Sequence, residues 1–122
     1  MEKVIKTHKD LIVWQKSVDF VVDVYELTKN FPQSELFALT SQIRRSATSI
    51  PANIAEGSGR KGNKEFIQFL HISLGSATEL ETHLIISERL SYINKGQFEK
   101  LNASLTEIIK MLSGLIKSIN NL

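Results

Sequence analysis

Six aliphatic residues near the C-terminus, Leu101, Leu105, Ile108, Leu112, Leu115 and Ile119, recur at alternating steps of four and three. That is the heptad period, which keeps one apolar seam turned towards partner helices and winds the helices around each other. Ile109 and Ile116 lie beside the seam and widen it. A chain that ends in such a segment must supply other helices to cover it.

Three upstream segments have the matching character. From Asp10 to Lys29, Leu11, Trp14, Val18, Val21, Val22 and Tyr25 recur at helical spacing, with Asp10 as the expected N-cap. A second apolar row, Val13, Phe20, Val24 and Leu27, runs along the same helix and needs a partner of its own. The helix should stop before Phe31-Pro32. Ser34 is the expected cap of a second helix, with Leu36, Leu39, Ile43, Ala47, Ile50 and Ile54 facing inward. Gly57, Gly59 and Gly62 then break the chain. Asn63 is the expected cap of a third helix, whose apolar positions include Phe66, Phe69, Leu70, Ser73, Ala77, Leu80, Leu84 and Ile85. Its pattern fades at Tyr92, and Gly96 marks a connection. No alternating run bounded by turns suggests a strand. The reading is an all-α single domain over 1–122, an antiparallel up-down-up-down four-helix bundle with helices near 10–29, 35–57, 63–91 and 96–120.

Composition narrows the function classes. The chain has 122 residues, no cysteine and a formal charge of +2. Disulfides and thiolate metal sites are excluded. The charged start, MEKVIKTHKDLIVWQKS, is not a secretory signal, and no apolar run reaches the ~20 residues of a membrane helix. The expected compartment is the cytoplasm, with no membrane contact. So mild a charge permits nucleic-acid binding without requiring it.

Motifs that resemble chemistry lack the context chemistry needs. Gly57-Ser58-Gly59-Arg60-Lys61-Gly62 spells G-x-G-x-x-G, but a helix precedes it where the dinucleotide fingerprint needs a strand. A phosphate loop would need lysine where Asn63 stands. Glu79 and His83 share a helical face and make at most half a metal site; Thr82 occupies the third position after Glu79, where a di-iron bundle needs histidine. No catalytic constellation is present, so neither enzyme activity nor a metal or other cofactor is expected.

The segment Gln42–Phe66 holds the remaining signals. It reads helical through Pro51, although a proline inside a helix costs roughly 3 kcal/mol. Tertiary contacts must therefore hold it. Asn53, Glu56, Glu79 and Thr82 are candidates for a structural polar network that compensates the carbonyl orphaned by Pro51. Arg44, Arg45, Arg60, Lys61 and Lys64 are the candidates for a nucleic-acid-binding surface, since guanidinium groups take phosphates bidentately.

Several blocks, in order, resemble one bacterial family. They are Asp10-Leu11-Ile12-Val13-Trp14-Gln15-Lys16, Phe31-Pro32, Gln42-Ile43-Arg44-Arg45-Ser46, Ser49 to Gly57, Glu65-Phe66 through Phe69-Leu70, and Gly75 to Thr82. Together they resemble the 23S rRNA intervening-sequence proteins. The fourth helix matches only in character. The resemblance implies an antiparallel four-helix bundle that assembles into a homopentameric ring. The chain is similar as well to the accessory subunit of diversity-generating retroelements, which pairs with a reverse transcriptase and binds nucleic acid, though it is less basic. The family name records gene location, so fold and assembly transfer better than role. The second apolar row, Val13, Phe20, Val24 and Leu27, is the expected oligomer interface. The expected function is a non-catalytic oligomeric adaptor that binds structured RNA or DNA. The alternative is a scaffold that docks a partner protein and binds no nucleic acid.

Overall fold

The structure, a computed structural model, describes residues 7–122. Four helices, α1 (Ile12–Thr28), α2 (Leu39–Ser58), α3 (Asn63–Arg89) and α4 (Lys95–Asn120), form an all-α bundle. No strand occurs among the described residues. Each helix packs on the next, and α4 closes back on α1. Neighbours run antiparallel: Ser73 Oγ on α3 meets Ile50 O on α2, and Ser76 meets Ser49. On the other side, Lys16 of α1 pairs with Glu107 of α4 at 2.8 Å.

The core contains Ile43, Ala47, Ile50 and Ile54 from α2, and Leu70, Ala77, Leu80 and Leu84 from α3. From α4 come Leu101, Leu105, Ile108, Leu112, Ile116 and Ile119, with the seam passing from the half-buried Leu115 to Ile116 at its last turn. An ideal helix drifts against a strict heptad by about 20° per repeat, which accounts for the shift.

The first helix is rotated from expectation, so that Leu11, Trp14 and Val21 of the row expected to be buried only flank the core. Val13 is 4 % exposed, Phe20 2 % and Val24 0 %, and the half-buried Leu27 packs against them. This row is α1's contribution to the core, so it cannot serve as the oligomer interface. Val22 (56 % exposed) and Tyr25, from the row expected to be buried, face outward. The core row includes Ser17 and Thr28, both buried. Their hydroxyls donate to their own helix, Ser17 to Trp14 O at 2.8 Å and Thr28 to Val24 O at 2.9 Å, so burial leaves neither unsatisfied.

Several helix ends differ from the sequence reading. Asp10 closes a short 3₁₀ turn (His8–Asp10) by accepting from Thr7 N, and α1 starts after it without a side-chain cap. Gln33–Glu35 forms another 3₁₀ turn, so α2 starts at Leu39, not near 35. Asn63 is the first residue of α3 and caps nothing. Gly96 lies inside the first turn of α4, which Asn94 and Gln97 close with a reciprocal capping box at 2.8 and 2.9 Å. The α3 terminus turns through Ser91, at φ 62°, with Tyr92 N bonded to Ser87 O and Ser91 N to Glu88 O. These two bonds make a Schellman motif with serine at the position usually held by glycine.

Candidate functional site

Helices α2 and α3 approach closely because small residues line their contact. An added Cβ on Gly57 would stand 2.7 Å from Phe69 Cβ and 3.0 Å from Phe66 Cδ1. Farther along, the buried Ser73 hydroxyl donates to Ile50 O at 2.9 Å, immediately before Pro51. Ser49 and Ser76 share a hydrogen bond of 2.8 Å. The Asn53 amide donates to Ser49 O and Ser49 Oγ at 2.8 and 2.9 Å. The Ser73 and Ser49–Ser76 bonds bind the proline-bearing stretch of α2 to α3, and the Asn53 amide braces α2 itself. Ser73 holds the carbonyl of Ile50, whereas the carbonyl that Pro51 deprives of its N–H partner is Ala47's.

Towards solvent, the same pair of helices frames a groove of about 540 Å³. Arg45, Ser49, Ala52 and Asn53 line it from α2, and Ser76 and Glu79 from α3. Glu79 Oε1 lies 3.3 Å from His83 Nε2, one turn on. His83 Nδ1 is buried without a hydrogen-bond partner among the described residues.

The four residues assigned to one polar network do not form one. Asn53 bonds to Ser49, Glu56 pairs with Arg60 at 2.6 Å, Glu79 faces His83, and Thr82 donates to Thr78 O at 3.4 Å. The exposed residues Glu56, Glu79 and Thr82 do not need the buried partners that motivated the grouping. Asn53 belongs instead with Ser49 and Ser76. A signal for this was present in the hydroxyls at 46, 49, 73 and 76, which recur at helical spacing on both helices.

The five basic residues likewise divide. Arg44 Nε donates to Thr28 Oγ1 at 2.9 Å, and its guanidinium stacks 4.6 Å over the Tyr25 ring. Arg44 is therefore occupied between α1 and α2. Arg45 lines both the groove and a neighbouring cleft beside Tyr25 and Phe37, and forms no ion pair among the described residues. Arg60 stacks 4.9 Å over Phe69 while paired with Glu56. Lys61 and Lys64 stand exposed around the α2–α3 turn, also without an ion-pair partner among the described residues. Arg45 and that turn lie about 22 Å apart along α2. The basic residues thus make one apex cluster and one separate groove cation.

The fold and these blocks can be set beside known proteins. A model of the family described as 23S rRNA-intervening sequence protein matches residues 9–114. The chain belongs to that family. It is similar to a crystal structure described as a protein of unknown function from the S23 ribosomal protein family of Bacteroides thetaiotaomicron VPI-5482. The two share 38 % identity with a TM-score of 0.81, over 87 % of this chain and 96 % of the other. A comparison with curated proteins gave no match. Among the described residues no group of three or more metal-ligating side chains occurs, and no helix is long and apolar enough to cross a membrane.

Proposed function

We propose that the protein is a non-catalytic, ring-forming adaptor of the cytoplasm that binds structured RNA or DNA through its α2–α3 end. The supporting observation is the apex cluster: Lys61 and Lys64 are exposed with no carboxylate partner among the described residues, beside the stacked Arg60. Unpaired cations around an exposed turn attract polyphosphate, with affinity driven by counterion release. Binding of labelled RNA and duplex DNA should weaken steeply with salt. A Lys61→Glu/Lys64→Glu variant should lower the slope of log K against log salt by about 1.5. An unchanged slope, or no binding at low salt, would remove the proposal.

The ring reading needs a contact other than the first helix's buried row. Phe37, 93 % exposed, is the strongest apolar knob, and Ile72 and Ile86 on α3, with Leu90 just past its end, offer apolar surface. Two dissimilar patches on one chain suit a head-to-tail contact, which can close into a ring, and the family resemblance puts that ring at five. Phe37→Asp should reduce the mass seen by light scattering to that of one chain.

Phe37 also favours a second reading, a scaffold that docks a partner protein, because with Leu36 and Tyr25 at the same cleft it makes a contiguous apolar patch of the kind that marks protein contacts. Under that reading no nucleic acid is retained, and Phe37→Asp abolishes capture of the partner without changing the oligomer mass.

A further inference from the structure

The α2–α3 groove carries a charge arrangement that the apex cluster does not explain. Arg45 and Glu79 line it from opposite helices, yet they do not pair with each other. Between them the floor is already satisfied: Ser49 and Ser76 share a hydrogen bond, and the Asn53 amide N–H groups are spent on Ser49. What remains to meet a ligand is the Arg45 fork with the Gln42 amide on one side, and on the other the Glu79 carboxylate, one oxygen of which also faces His83, with Asn53 Oδ1 as acceptors.

This set selects by chemistry. A phosphate is repelled by Glu79, and a simple cation by Arg45. The fitting ligand is neutral and planar, with adjacent N–H donors on one edge and acceptors on another. Guanine has that pattern. Its N1–H and N2–H₂ can meet both oxygens of a carboxylate, while O6 and N7 accept an arginine fork. Adenine presents an acceptor where N1–H is needed, and uracil has one N–H between two carbonyls. The small Ala52 side chain leaves room for a ring to lie flat against α2. In a duplex the N1–H and N2–H₂ edge is occupied by pairing, so only an unpaired guanine can enter.

We propose that this groove binds an unpaired guanine base, read by Glu79 and Arg45 and approached by a strand whose phosphates rest on Lys61 and Lys64. The assignment rests on the nucleic-acid reading and adds base selectivity to it.

The test is a titration of the full chain with GMP, IMP and AMP, followed by ¹H–¹⁵N correlation spectra. The three share a phosphate, and IMP lacks only the N2 amino group of GMP. GMP should shift the amides of Ala52, Asn53, Ser76 and Glu79, and bind about tenfold more tightly than IMP or AMP. Glu79→Gln should weaken GMP more than IMP, which meets the carboxylate through N1–H alone, and so remove the preference for GMP. Arg45→Gln should weaken GMP and IMP alike, and spectra of both variants report whether the bundle is intact. Equal shifts from all three nucleotides, or shifts confined to residues 60–64, would overturn the proposal. So would a guanine-bearing oligonucleotide that binds equally well after inosine replacement; in that case the apex cluster keeps its role. GMP selectivity in a protein that retains no polynucleotide would support the groove and remove the adaptor reading.

Discussion

Replacing Gly57 by alanine tests the α2–α3 approach directly. The new Cβ would sit 2.7 Å from Phe69 Cβ, 3.0 Å from Phe66 Cδ1 and 3.2 Å from Phe66 O. Phe69 Cβ is fixed to its backbone and cannot rotate away. The helices must therefore separate by about 0.7 Å at that point to restore an ordinary contact. Overpacking of this kind costs about 1–3 kcal/mol. Helix propensity opposes it by up to about 1 kcal/mol, but less at Gly57, one residue from the end of α2. A net loss of about 1–2 kcal/mol lowers Tm by roughly 3–10 °C for a domain of this size. Gly75 and Gly114 are the controls. A Cβ at either meets nothing within 4 Å, and both lie inside helices. Alanine there should raise stability by about 0.5–1 kcal/mol. Urea and thermal unfolding of the three variants, followed by circular dichroism, give the comparison. A Gly57→Ala protein as stable as the two controls would refute the close approach.

Three further outcomes follow from named contacts. Arg44→Met should cost about 1–2 kcal/mol through the lost Thr28 bond and Tyr25 stacking, while leaving the salt slope of nucleic-acid binding unchanged; a reduced slope would place Arg44 on the binding surface. Ser91→Gly should stabilise by about 1 kcal/mol in urea unfolding, because serine at φ 62° carries a left-handed penalty that glycine does not. The Tyr92 hydroxyl donates to Glu35 at 2.8 Å; that bond, then burial, then the Glu35 charge raise the tyrosine above its ordinary pKa. The neutral phenol is thus favoured in the folded state, and its stabilising effect is complete below pH about 10 and lost as pH rises through the raised value. Difference absorbance between wild type and Tyr92→Phe should show a phenolate midpoint above that of the urea-unfolded chain, and equal midpoints would contradict the geometry.

Periodicity made the four helices legible, and the inward stripes of α2 and α4 with them. It misjudged the rotation of α1, because both of its faces carry apolar residues. The true core row steps through Val13, Ser17, Phe20 and Val24 by four, three and four, the heptad period of α4, and then by four to Thr28. Ser17 and Thr28 disguised it, since a hydroxyl looks solvent-facing until its bond to the preceding turn is seen. Helix starts were misread where a capping residue type served another purpose, as Asp10 does in bonding back to Thr7. The groove was invisible because it depends on the register of two helices. Asn53 and Glu79 were both singled out, but only the pairing of Ser49 with Ser76 places them on facing walls.

The two sides of the bundle differ in how they are fastened. Gly57 packing and buried or half-buried serine bonds join α2 to α3, whereas α1 meets α4 more sparsely, across an exposed Lys16–Glu107 pair and two surface clefts. An exposed ion pair contributes little to holding a seam shut. The molecule is thus built like a book, with the α2–α3 hairpin as its spine and the α1–α4 edge as the side that opens first in local unfolding. Because the groove and the apex lysines both belong to the spine, their geometry is insulated from that breathing.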